Sequence, residues 1–166
     1  MAEYTKHNVK VCDLTSDEKI DLCYDLLQDI RDEDLRDLSE DGADPCFLLI
    51  ASINLADELV IYRNADNELL LVCGIGKDAD ARGGRFIWMV GCNRLQTMSN
   101  IKTLLMKESK RLIAEWLDKY ILLYNCVHVD NEKSKRWLTR LGAIWLPDFV
   151  GPDNKFQSFV IVKGAK

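Results

Sequence analysis

Along this chain, runs in which apolar residues return every three or four positions take turns with shorter runs in which they are continuous. The first spacing marks a helix with one buried face, the second a strand inside a sheet. Residues 9–14 predict an opening strand, with Val9 and Val11 alternating against polar neighbours. Thr15 and Glu18 have capping-box spacing, in which each side chain satisfies a free N–H at a helix start. Ile20, Cys23, Tyr24, Leu27 and Ile30 then form the apolar face of that helix. A second short helix is expected around Leu35 and Leu38. A third covers 46–55, with Pro45 at its first turn, where no N–H is missed.

Residues 58–63 and 68–74 predict a hairpin about the turn 64–67. A flexible loop at 81–84 and a strand at 85–90 follow. Ser99 is placed to cap a long helix over 100–120, with a stripe of Ile101, Leu104, Leu105, Leu112, Ile113, Trp116, Leu117 and Tyr120. Residues 122–129 are nearly continuous in apolar side chains, as in a strand buried on both faces. Asn131 caps a short helix that turns Trp137, Leu138 and Leu141 inward, and Gly142 supplies its left-handed stop. Residues 143–146 and 156–162 read as a final antiparallel pair, with Pro147 and 151–154 as the turn between them. The class is α+β, a mixed and mostly antiparallel sheet flanked by helices.

Length and charge refine that outline. At 166 residues and 48% hydrophobic content the chain suits one domain, with an acidic helical part at 13–57 and a core at 58–166. Residues 13–44 hold thirteen Asp/Glu against three Lys/Arg, a net −10 that leaves +5 for the rest of a chain of net −5. This balance argues against nucleic acid as the main partner. The acidic part is either an oriented interaction surface or an ordinary solvated helix exterior. The six cysteines, 12, 23, 46, 73, 92 and 126, include no C-x-x-C pair and suit buried reduced thiols. With His7 and His128 the only histidines, no metal-ligand spacing exists. No apolar run is long enough to span a membrane, and the start M-A-E-Y-T-K has no signal-like apolar region.

From Glu68 to Leu146 the order is hairpin, strand, long helix, strand, short helix, strand. Asn131, Ser134, Trp137, Leu141 and Gly142 match N-x-x-A-x-x-F-Y-x-x-x-G in spacing. This order and motif resemble the Gcn5-related N-acetyltransferase (GNAT) fold. The resemblance implies a loop before the long helix, R/Q-x-x-G-x-G/A, that holds the pyrophosphate of acetyl-CoA at a helix N-terminus. Here that loop reads Arg94-Leu95-Gln96-Thr97-Met98-Ser99, so Thr97 and Ser99 stand where glycine or alanine is wanted. The tyrosine that commonly protonates the leaving thiolate is matched by Leu138. Residues 85–90 offer no Glu, Asp or His as a base.

A further resemblance rests on residues 85–88, W-L-D-K-Y, Y-N-C-V-H-V-D-N, S-K-R-W-L-T-R-L-G-A and F-Q-S-F-V-I-V-K-G, in that order. These segments resemble the internal virion protein A family, the gene 13 product of short-tailed autographivirus podophages. That resemblance implies a part in virion assembly, phage or host proteins as partners, and the host cytoplasm or the virion as location. It also implies a non-catalytic protein with no cofactor. The alternative is an acetyl-CoA-dependent N-acetyltransferase of a host protein or small amine. Arg94, Thr97, Ser99 and Asn131 would then line the cofactor, with protons handled by water or by the amine. An inhibitor built on acidic mimicry of nucleic acid is a third reading of the −10 segment.

Other candidates have an ordinary reading beside the functional one. Arg94, Lys102, Lys107, Lys110 and Arg111, with Lys133, Lys135, Arg136 and Arg140, form a residual anion or partner-acid site or plain solvated faces. His128 and Asp130 end a strand, where catalysis or a structural hydrogen-bonding pair would each fit. Trp88, Trp116, Trp137 and Trp145 are expected in the core, and Cys92 as an inert thiol.

Overall fold

A computed structural model describes residues 4–40, 42–76 and 83–164. Among these residues seven strands form one sheet, accompanied by five helices, a mixed and mostly antiparallel α+β architecture. Ala81 and Arg82 of the expected flexible loop lie outside the described residues. By internal contacts the chain forms two compact units, Met1–Lys77 with Ile87–Ser99, and Asp78–Phe86 with Asn100–Lys166.

In the first unit, β1 (Tyr4–Lys10) pairs antiparallel with β2 (Ala56–Asn64), from Tyr4 against Asn64 to Lys10 against Glu58. The expected strand at 9–14 is thus shifted toward the N-terminus, and Val11–Asp13 is a 3-10 turn. β1 is an edge strand with mostly exposed polar residues, so alternation was a weak guide to its bounds. β2 continues into β3 (Leu69–Gly76) as the predicted hairpin, with Asn67 at φ 64 in its turn. β3 is buried along all eight residues. The last part of β4 (Gly84–Gly91) follows β3 in the sheet order.

Helix α1 (Ser16–Gln28) starts with the predicted capping box: Glu18 N donates to Thr15 Oγ1 at 3.2 Å and Thr15 N to Glu18 Oε2 at 2.7 Å. Helix α2 (Asp32–Ser39) and helix α3 (Pro45–Leu55) follow, the latter capped by Asp44 with Pro45 at its first turn. Leu22, Cys23 and Leu26 of α1 and Leu49 and Ile53 of α3 meet Leu59, Leu69 and Val72 of the strands in one core.

In the second unit, Gly84, Arg85 and Phe86 of β4 pair in parallel with Leu122, Leu123 and Tyr124 of β5 (Leu122–His128). β7 (Phe156–Val162) lies between β5 and β6 (Ile144–Val150), antiparallel to both. Pro147 falls inside β6 rather than in the turn, where the register shifts between Trp145 and Phe149. β5 is not buried on both faces as expected: Leu123 and His128 are buried and the residues between are half-buried. Helix α4 (Ile101–Leu117) buries Leu112 and Trp116 of its stripe, together with Glu108.

Helix α5 (Glu132–Arg140) has the predicted Asn131 cap and is followed by Gly142 at φ 95. None of its residues is fully buried, so Trp137 and Leu138 line a partial contact rather than a core. Among the tryptophans, Trp116 is fully buried, while Trp88, Trp137 and Trp145 are half-buried. No helix among the described residues is long and apolar enough to cross a membrane.

Candidate functional site

The candidate loop starts where β4 ends, and its backbone donors are already engaged. Gly91 N donates to Asp34 Oδ2 at 2.8 Å, Cys92 N to the Leu70 carbonyl at 2.9 Å, and Asn93 N to the Asp29 carbonyl at 2.7 Å. Arg94 N donates to Asp29 Oδ2 at 3.0 Å. Two of these acceptors, the Asp29 carbonyl and Asp29 Oδ2, belong to the short connector between α1 and α2, and Asp34 lies in the first turn of α2. The connector is extended because α1 ends at Gln28 and α2 begins at Asp32, leaving Asp29, Ile30 and Arg31 free to bond sideways. Arg31 N donates to the Gly91 carbonyl at 3.0 Å, Asn93 Nδ2 to the Ile30 carbonyl at 3.0 Å, and Ile30 bridges antiparallel to Cys92. The connector therefore laces along the strand exit like a short extra strand.

Arg94, the one residue retained from the cofactor-loop pattern, is held inside this lacing. Its Nε donates to Asp29 Oδ2 at 2.8 Å and its guanidinium lies 3.5 Å from Glu68 Oε1. The Arg94 side chain, and next its backbone N–H, hold the Asp29 carboxyl below the usual carboxylate range. The same bond raises Arg94 further above its ordinary value. A second carboxylate, Asp34, accepts from Arg31 Nε at 2.8 Å as well as from Gly91 N. Burial pushes the Asp34 carboxyl up, against the pull of the Arg31 guanidinium.

Thr97 and Ser99 lie on the same segment. Asn93–Thr97 is a 3-10 turn in which the Thr97 hydroxyl donates to the Arg94 carbonyl at 2.8 Å. Ser99 does not occupy the cap position of α4. Asn100 does, at φ 57, and makes no side-chain cap bond. Asn131 belongs to the second unit, where it is 2% exposed and accepts from Ser134 N at 3.1 Å. Arg94, Thr97 and Ser99 thus share one loop, and Asn131 works as a helix cap.

The remaining candidates take structural places. His128 is buried, its Nδ1 accepts from Asp130 N at 3.2 Å, and Phe156 meets its ring edge-on at 5.4 Å. Cys92 is fully buried, and desolvation pushes its thiol up to about 11, as an inert thiol requires. Arg111 pairs with Glu108 at 2.5 Å and Lys135 with Glu132 at 3.5 Å, while Lys102, Lys107, Lys110, Lys133, Arg136 and Arg140 are exposed. Sequence reasoning missed Asp29, Arg31, Asp34 and Glu68. Asp29 and Arg94 are 65 positions apart, and no local spacing ties them.

No protein-family model and no curated protein sequence matches the chain. Solved structures do match it, over nearly its whole length. The spermidine N-acetyltransferase of Vibrio cholerae, in complex with CoA and spermine, aligns over 99% of this chain and 98% of its own at a TM-score of 0.64 and 11% identity. An acetyltransferase from Streptococcus agalactiae aligns over 98% and 99% at a TM-score of 0.66 and 7% identity. The fold is that of the GNAT acetyltransferases. At such identities the likeness is one of architecture, and site chemistry has to come from this chain's own residues.

An acyl-CoA donor, which this fold implies, meets a donor set that fits in kind. The Arg94 guanidinium and its backbone N–H stand in the loop that the fold uses, and both now serve the Asp29 carboxylate. Arg94 would hold the donor's phosphates once Asp29 and Glu68 release it. A bound donor supplies the thioester carbonyl for acyl transfer.

Proposed function

We propose that this chain is an acyl-CoA-dependent N-acyltransferase of a small cationic amine, with its donor loop latched by Asp29. The full-length alignment with acetyltransferases carries this reading. The amine class is supported by the −10 segment at 13–44, in which Asp17, Asp21 and Asp25 follow one exposed face of α1 at helical spacing. The spermine in the Vibrio cholerae enzyme points the same way. No Asp, Glu or His lies on β4, so water or the amine itself must deal with the acceptor proton. Calorimetric titration with acetyl-CoA, then mass detection of acetyl transfer to spermine, tests the proposal. Binding lost in Thr97→Trp, with transfer above background, is expected. No heat at millimolar donor and no transfer would remove the proposal.

Two observations favour a second reading. Arg94 is committed to Asp29, and Leu138 stands where the fold's enzymes commonly place a proton donor. A scaffold freed from catalysis would tolerate both. In this reading the chain is a non-catalytic phage protein of virion assembly that works by contact with phage or host proteins, as the podophage resemblance implies. Proteomic analysis of purified particles would find it there or in assembly intermediates. Particles that form normally without it, and never contain it, would sink this reading.

A further inference from the structure

Cys23 of α1 and Cys46 of α3 place their sulfurs 3.6 Å apart, though 23 positions separate them in sequence. Cys23 is 1% exposed and Cys46 is half-buried. The Cys23 thiol also points at the Cys46 carbonyl, 3.7 Å away, so it is directed at the first turn of α3. Helices α1 and α3 are packed in the same core, through Leu22 and Leu26 on one and Leu49 and Ile53 on the other. A disulfide needs the sulfurs at about 2.05 Å, an approach of roughly 1.5 Å, which side-chain rotation and a small helix shift can supply.

We propose that Cys23 and Cys46 are a redox modification site that closes to a disulfide when the protein meets a hydroperoxide. The half-exposed Cys46 is oxidised first: its sulfur takes the terminal oxygen of the hydroperoxide and becomes a sulfenic acid, and the hydroperoxide leaves as an alcohol or water. The Cys23 sulfur then attacks the Cys46 sulfur, expelling the hydroxyl as water with the Cys23 proton. Two thiols lose two electrons and two protons, and the hydroperoxide takes up both. Burial pushes the Cys23 thiol up to about 12, so it rests as a thiol and reacts only with a partner already at hand. A reducing cytosol keeps the pair open and an oxidising compartment closes it.

The consequence reaches the candidate loop. The chain between the two sulfurs contains the connector residues Asp29 and Arg31 and, in α2, Asp34, which hold Gly91, Asn93 and Arg94. Closing the bond ties both ends of that segment and disfavours its detachment. Oxidation therefore tightens the latch on Arg94. This inference stands whether the loop takes acyl-CoA or not, because its readouts are covalent and conformational.

The folded full chain in a Cys12→Ser background, treated with hydrogen peroxide, is mapped by non-reducing peptide mass spectrometry. The expected product is a Cys23–Cys46 cross-linked peptide that disappears with a phosphine reductant. The thermal midpoint should rise by roughly 5–10 °C on oxidation. Amide exchange should slow at Gly91, Asn93 and Arg94. Cys46→Ser and, separately, Cys23→Ala should show none of these changes. Thiols that stay reduced in the folded protein, a Cys23–Cys46 link that appears only after unfolding, or a cross-link without slower exchange at those amides would overturn the proposal.

Discussion

A methyl group added at Gly74 would lie 2.2 Å from the Trp88 ring, so β3 must carry glycine there for the indole to cross it. Gly74→Ala should destabilise the fold by about 2–3 kcal/mol, the usual range for overpacking a filled core. Trp88→Leu in the same chain should recover part of that loss. Denaturant unfolding of the two single variants and the double variant gives the coupling, and strictly additive losses would mean that the clash is relieved elsewhere. Asp29 offers a second residue-scale test. Arg94 depresses its carboxyl, so the ionised form favours the folded state. That contribution is full above the unfolded value of about 3.9 and is lost as the pH falls through the lower folded value. With Asp29 partly exposed, the gap between wild type and Asp29→Asn should be about 1 kcal/mol at neutral pH. It should close in acid below about pH 4. Unfolding curves measured on both sides of that pH check it, and a gap that ignores pH would place the loss outside the ion pair.

Helix ends set by local chemistry were legible in the sequence except at α4, where Asn100 and not Ser99 takes the cap position. The Thr15–Glu18 box, Asp44 before Pro45, Asn131 as a cap and Gly142 as a stop each depend on neighbours within a few positions, and each is found as read. Strand burial was not legible, because it depends on what packs from elsewhere. Residues 122–129 are as apolar as residues 69–76, yet β3 is buried throughout and β5 is not. The segment from Asp29 to Asp34, the connector and the first turn of α2, was likewise unreadable: its acids look like solvated helix charge until Gly91 and Arg94 are brought beside them. Asp34 is the element's anchor, 8% exposed and bonded to both Arg31 and Gly91 N. Asp34→Ala strands a guanidinium and an N–H together. A loss of about 2–4 kcal/mol should follow, with faster amide exchange at Gly91. Unchanged exchange there would show that the connector holds without its anchor.

At the scale of the whole molecule, an acyltransferase architecture meets a loop that has been closed from within. Five positive charges' excess on the rest of the chain favours a polyanionic donor, while the −10 segment contributes the carboxylate that competes with it. If the donor reading is right, binding must first take Arg94 from Asp29 and Glu68, and the measured affinity is reduced by the cost of that exchange. Removing both carboxylate charges should remove that cost. Asp29→Asn with Glu68→Gln keeps side-chain volume and one acceptor oxygen on each residue, so Arg94 is left with neutral partners in place of charged ones. Calorimetry with CoA should then show affinity raised by roughly tenfold, equivalent to about 1.4 kcal/mol. The gain should vanish when Arg94→Ala is added and shrink at high salt, where charge pairing weakens. A double variant that binds CoA no better than the wild type, with both proteins folded, would mean that Arg94 is a structural cation and that any donor enters by another route.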